Sequence, residues 1–203
     1  MNKFLEHLNA GHMLVADGAT GTNLQKMGLK AGTAPEDLLI DDPDILLQLA
    51  NRFVSAGSDI ILTCTFGGTI LRMKESKYVD RCAEINTRAA ELARKAASAR
   101  DGVLVAGSIG PTGLLMQPLG PLDSAEAFSV YASQAKALAE GGVDLLVIET
   151  MFALDEASAA FDAARSVTER AASKAALASS SANMVSITSK STPPSARALA
   201  CSA

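Results

Sequence analysis

Four short apolar runs each close on a small group of polar and glycine residues: Leu14-Val15-Ala16-Asp17-Gly18, Ile60-Ile61-Leu62-Thr63-Cys64-Thr65-Phe66, Val103-Leu104-Val105-Ala106-Gly107-Ser108 and Leu145-Leu146-Val147-Ile148-Glu149-Thr150. Runs apolar at successive positions read as strands buried on both faces, and parallel α/β folds are the architecture that covers strands this way and places chemistry at their carboxyl ends. Two of the units also echo one another. Ala56-Gly57-Ser58-Asp59-Ile60-Ile61-Leu62-Thr63 is matched by Gly141-Gly142-Val143-Asp144-Leu145-Leu146-Val147-Ile148-Glu149-Thr150, so a repeated β-α module is the expected building block.

The intervening text reads as helix. Residues 1–12 are expected to form a short helix ending near Gly11. Asp41-Asp42-Pro43 starts another, with an aspartate at the cap and proline in the first turn. Its Ile45, Leu46, Leu49, Phe53 and Val54 recur at helical spacing and predict one apolar face against the sheet. An alanine-rich stretch over 79–98 predicts a third helix, and Asp123-Ser124-Ala125-Glu126 has the form of a capping box for a fourth over 124–140. Gly107 to Gly113 predicts a loop whose amides are able to cradle an anion, although Lys and the Walker spacing are absent.

A net charge of −4 offers no basic surface for a phosphate backbone, which argues against nucleic-acid binding. The apolar runs are too short to span a bilayer and the first residues lack the pattern of a secretory signal, so no membrane partner and a cytoplasmic location are expected. The three cysteines, Cys64, Cys82 and Cys201, are too widely spaced for a disulfide framework or a CxxC knuckle. Residues 171–203 are mostly alanine and serine, without Gly, Asp, Glu or aromatic residues. That composition predicts an irregular tail over 168–203, with only Met184-Val185-Ser186-Ile187 suggesting a strand.

Asp17 closes the first run, where a carboxylate either binds an ammonium group or accepts backbone N–H bonds in a turn. Glu149 is more telling, because an acidic side chain ending the run Leu145 to Ile148 must face a cavity or be neutralised at a cost. Together they form a pair suited to a cation, although paired carboxylates also serve glycosidases. Thr63, Thr65 and Ser108 are hydroxyls at the same level, able to meet a carboxylate or to satisfy strand-end backbone. Cys64 reads as a small buried thiol rather than a nucleophile, since His7 and His12 are the only histidines and neither neighbours it in sequence.

Val15-Ala16-Asp17-Gly18-Ala19-Thr20-Gly21-Thr22, Ser58-Asp59-Ile60-Ile61-Leu62-Thr63-Cys64-Thr65-Phe66-Gly67, Ala106-Gly107-Ser108-Ile109-Gly110-Pro111-Thr112-Gly113 and Gly142-Val143-Asp144-Leu145-Leu146-Val147-Ile148-Glu149-Thr150-Met151 resemble, in order, the motifs of the homocysteine S-methyltransferase family. Within it, the pattern is most similar to the homocysteine-binding module of cobalamin-dependent methionine synthase. The resemblance implies a (β/α)8 TIM barrel that binds homocysteine at its carboxyl-terminal face and activates the sulfur on zinc for attack on a methyl donor, whose identity the motifs do not give. Carried over by motif, Asp17, Gly18 and Glu149 hold the amino-acid end of homocysteine, and Thr63 and Ser108 line the pocket. Cys64 stands where the family more often has Asn.

The same resemblance implies three zinc-binding cysteines: one after a later strand, and a Cys-Cys pair in a glycine-rich motif. No Cys-Cys pair occurs in this sequence. The expectation is therefore a truncated or frame-shifted barrel of about four β-α units over 1–167, with substrate residues but no metal ligands. It carries an open edge where a fifth strand pairs, through which the chain is able to self-associate. Two other readings stand beside it: a non-catalytic barrel fragment, and a zinc-independent barrel lyase or isomerase with Glu149 as general base.

Overall fold

In the computed structural model, which describes residues 3–30, 32–178 and 185–189, the chain builds one parallel four-stranded sheet. The strands are β1 (Ile60–Leu62), β2 (Leu104–Ile109), β3 (Leu145–Glu149) and β4 (Val185–Ser189), in that spatial order. The helices are α1 (Lys3–Asn9), α2 (Thr20–Lys26), α3 (Leu38–Asp41), α4 (Pro43–Ser55), α5 (Cys82–Ala97), α6 (Ser124–Glu140) and α7 (Leu154–Ala178). From β1 onward, strands and helices alternate, and every strand pair is parallel, as expected for successive β-α units.

The first apolar run does not become a full strand. It makes a single parallel bridge, Ala16 to Ile60, fixed by the Asp17 N–H donating to the Ile60 carbonyl at 2.9 Å and the Ile60 N–H to Val15 at 3.1 Å. Chain 13–17 still runs beside β1, so the predicted order of four units holds, with the first contributing an extended segment. The run Val103 to Ser108 becomes β2 with a shift of one residue, to Leu104–Ile109, and all six residues of β2 are buried.

Both copies of the sequence echo use one device. Asp59 Oδ2 accepts the Val15 N–H at 3.0 Å, and Asp144 Oδ2 accepts the Val105 N–H at 2.7 Å. Each aspartate, just before its strand, thus ties that strand to the preceding one. Each also meets an arginine, Arg100 at 3.4 Å from Asp59 and Arg94 at 2.8 Å from Asp144.

Strand alternation divides the packing. Ile61, Val105, Leu146 and Ile148 point outward, against Ala90, Ala93, Tyr131, Leu138 and Ala160 of the helices. Alanines 89, 90, 93, 96 and 97 make one face of α5 shallow enough to lie close to its neighbours. Ile60, Leu104, Ala106 and Leu145 point to the other face, where Phe4 of α1 covers them. Helix α1 docks on this face, opposite the other helices, with Phe4 as its one buried anchor.

Caps follow the sequence in part. The Asp123 side chain accepts the Glu126 N–H at 2.8 Å, as the capping box requires. Asp42 occupies the cap position of α4 but makes no side-chain cap bond, leaving Pro43 as the start signal. The expected open edge of β3 is also corrected. β4 pairs with β3 from Leu145↔Val185 to Glu149↔Ser189, so the alanine- and serine-rich segment contributes both the end of α7 and a strand. Residues 179–184 and 190–203, including Cys201, lie outside the described residues.

Candidate functional site

The carboxyl edge of the sheet gathers Asp17, Thr63, Ser108 and Glu149. Asp17 follows the Ala16–Ile60 bridge, and its Oδ2 accepts the Leu62 N–H at 3.0 Å. The carboxylate thereby takes the place of the next ladder carbonyl. Burial pushes the Asp17 carboxyl up to about 6; the Leu62 N–H opposes this, and the charge of Glu149 adds to it. One flank of Asp17 is apolar, a small pocket shared with Leu39, Leu46, Leu49, Phe53 and Cys64. Gly18 packs over the same Phe53, where an added Cβ meets the ring at 3.3 Å.

Glu149 ends β3 on the face occupied by Leu145 and Val147, four and two residues earlier, and the Ser108 hydroxyl donates to its Oε1 at 2.7 Å. Ser108 is itself held from behind. Its N–H donates to Thr63 Oγ1 at 3.0 Å, and its carbonyl accepts the Thr65 hydroxyl at 2.8 Å. Since the Thr65 proton is committed there, Thr63 is the donor in the 2.6 Å contact between the two threonines. Thr63 is buried and its hydroxyl is engaged inside the protein, so it positions Ser108 rather than presenting a free donor.

Three features had no signal in the sequence pattern. Thr150, directly after Glu149, has φ 58°, an unusual conformation for a β-branched residue, of the kind that costs about 1–3 kcal/mol and concentrates at functional sites. Glu156 of α7 is 1% exposed, and its Oε1 accepts the Thr112 N–H at 2.9 Å, the Thr112 hydroxyl at 2.8 Å and the Tyr131 hydroxyl at 2.8 Å. The Thr112 amide of the glycine-rich loop is thus taken by the protein's own Glu156 side chain. Glu36, also buried, accepts the Gly67 N–H at 2.7 Å and fixes the turn after β1; burial pushes its carboxyl above the usual range.

Neither Cys64 nor Cys82 belongs to a group placed to hold a metal. Burial pushes the Cys64 thiol well above its ordinary value and that of Cys82 up to about 11, with the charge of Glu36 adding to both. Cys82 donates to the Gly68 carbonyl at 3.1 Å. Zinc needs thiolate or neutral imidazole converging from three or four sides, and among the described residues no three His, Cys, Asp or Glu form such a group. The zinc implied by the sequence motifs therefore does not fit these residues. Among the described residues no helix is long and apolar enough to cross a membrane.

Comparison with known proteins bears on the family and the fold. The family model described as Homocysteine S-methyltransferase matches residues 14–200. An S-methylmethionine--homocysteine S-methyltransferase, BHMT2 of Pongo abelii, is 34% identical over 154 residues, covering 75% of this chain and 40% of the relative. Its counterpart in Mus musculus is 30% identical over 164 residues, covering 80% of this chain and 43% of the relative. The chain thus spans about two fifths of the length of these relatives. In fold it is similar to the metallated form of the homocysteine methyltransferase MmuM from Escherichia coli, with a TM-score of 0.71 at 21% identity, covering 84% of this chain and 64% of that one. The apo form of MmuM gives a TM-score of 0.57.

Proposed function

The chain belongs to the homocysteine S-methyltransferase family, and from that premise we propose that it holds the amino-acid end of homocysteine at the carboxyl edge of its sheet, on Asp17, Gly18 and Glu149. The observation that supports this reading is that both carboxylates sit at the carboxyl end of the sheet, Asp17 accepting the Leu62 N–H at the end of β1 and Glu149 accepting the Ser108 hydroxyl at the end of β3. Two carboxylates in one partly buried place repel each other. An α-ammonium group between them turns that repulsion into attraction and favours ionised Asp17. Ser108 fixes Glu149 for this task, and Thr63 and Thr65 fix Ser108.

In the family reading the homocysteine sulfur attacks the methyl carbon of a donor, with the donor's leaving group departing as the new S–C bond forms. An unperturbed thiol has a pKa of about 8.5, so at neutral pH the sulfur is mostly protonated and a weak nucleophile. Among the described residues no three His, Cys, Asp or Glu form a group to hold a metal that would take that proton. The reading for this chain is substrate capture by the amino-acid end, residing in residues 1–167, with methyl transfer to homocysteine depending on ligands from outside them.

The test is a calorimetric titration of the full chain with L-homocysteine and with its des-amino analogue. Saturable binding of homocysteine and at least about a tenfold loss for the analogue is the expected outcome, since a charge-assisted hydrogen bond contributes roughly 1.5–3 kcal/mol. Equal binding of both overturns the role of the carboxylate pair.

A further inference from the structure

We propose that His7 and His12 form a second site, unrelated to the carboxylate edge: a two-imidazole chelate for a borderline divalent transition metal of the Ni(II) class. The two Nδ1 atoms lie 3.1 Å apart, with ring centroids 5.4 Å apart. Two nitrogens bound about 2.1 Å from one ion are roughly 3.0 Å apart at a right angle and roughly 3.4 Å apart at the tetrahedral angle. The observed separation lies inside that range, so an ion is able to bridge the nitrogens once the two rings turn their Nδ1 lone pairs from each other toward it.

The backbone explains why the rings meet. The Gly11 N–H donates to the Leu8 carbonyl and the His12 N–H to the His7 carbonyl, both at 3.0 Å, with Gly11 at φ 73°. These paired bonds around a left-handed glycine are the Schellman motif, which places the side chain two positions before the last helical residue against the side chain just past the turn. In this chain those two positions are His7 and His12, and they usually carry apolar residues. The spacing is therefore held by a closed turn rather than by two freely moving side chains, which reduces the ordering cost of chelation.

The site is open. His12 is exposed and His7 half-buried, so solvent reaches the pair and water is able to complete the coordination sphere. It lies before the 13–17 segment, at the amino end of the sheet, opposite Asp17 and Glu149. Across the present contact only one Nδ1 carries the hydrogen, and a metal ion replaces it while both imidazoles stay neutral with their protons on Nε2. Imidazole nitrogen suits Ni, Cu and Zn ions over hard cations such as Mg or Ca.

The experiment is titration of the full chain with Ni(II), read by calorimetry and by hyperfine-shifted imidazole N–H signals in the NMR spectrum. The sequence has two histidines, so signals from both are expected with one equivalent of metal. His7→Gln and His12→Gln should each weaken binding by at least about tenfold, as losing a direct ligand costs no less than losing an outer-shell partner. Gly11→Ala, which keeps both imidazoles but strains the turn, should weaken it by a smaller factor. Unchanged affinity in both histidine variants, or shifted signals from fewer than two histidines, overturns the proposal.

Discussion

The Ser108 hydroxyl donates to Glu149 Oε1 at 2.7 Å, joining the last residue of β3 to the penultimate residue of β2. Ser108 is 2% exposed, and its amide and carbonyl are both bound by threonine side chains, so the hydroxyl has a fixed origin. Ser108→Ala removes one hydrogen bond to a charged group, which typically contributes about 1.5–3 kcal/mol. The variant should fold, lose stability within that range in urea unfolding, and bind homocysteine several-fold more weakly. Unaltered affinity would show that Glu149 needs no orientation.

Asp17 gives the site a pH dependence. Its carboxyl sits at about 6 in the folded protein against an ordinary 3.8, so the folded state binds this proton more tightly than the unfolded chain. The contribution to stability is complete below pH 3.8, falls as pH rises toward 6, and is absent above it. Ligand binding runs the other way: an ammonium group prefers ionised Asp17, so homocysteine affinity should rise between pH 5 and 7. Asp17→Asn should flatten both profiles, measured by urea unfolding and calorimetry across that range. A parent protein whose affinity is constant over the range contradicts the assignment.

Glu156 closes the loop after β2. Glu156→Ala leaves Thr112 N–H, Thr112 Oγ1 and Tyr131 OH without their shared acceptor in a buried place, a loss of about 3 kcal/mol or more. Tyr131→Phe removes one of the three donors and should cost about 1 kcal/mol. Urea unfolding of both variants checks the order, and a milder effect for Glu156→Ala than for Tyr131→Phe would contradict it.

Gly68 marks a close approach. An added Cβ there meets Asn86 Oδ1 at 2.5 Å, Gln134 Nε2 at 2.6 Å and the Thr65 carbonyl at 2.9 Å. Asn86 donates to the Gly68 carbonyl and Gln134 to that of Thr65, so neither amide moves without losing a bond. Gly68→Ala should destabilise by about 1–3 kcal/mol, the usual range for overpacking, as read from the thermal or urea midpoint.

The parallel order of units was legible because strands buried on both faces leave continuous apolar runs, as Leu145 to Ile148 does, and because Asp59 and Asp144 repeat at one offset from their strands. The short pairing of 13–17 was not legible: Leu14-Val15-Ala16 is as apolar as a strand, and only tertiary context limits it to one bridge. Likewise β4 was hard to read, since Val185-Ser186-Ile187 sits in a serine-rich setting and gains its order by pairing with β3. At the site, Glu149 announced itself as a charge ending an apolar run. Glu156 and Glu36 did not, because a glutamate inside or beside a helix reads as a solvated face until its buried donors are seen. Thr63 was visible as a hydroxyl at the right level, but the hydrogen bond that turns it inward depends on a strand forty-five residues away.

Joint action of Asp17 and Glu149 on the ammonium group of homocysteine is the proposal for this site. Its most direct test is the affinity of the full chain for L-homocysteine in four forms: parent, Asp17→Asn, Glu149→Gln and the double variant. Each single change should weaken binding by about tenfold or more, and the double change by less than the product of the two, because the carboxylates share one cation. Failure of the parent chain to bind homocysteine, or full affinity retained in Glu149→Gln, would contradict the account.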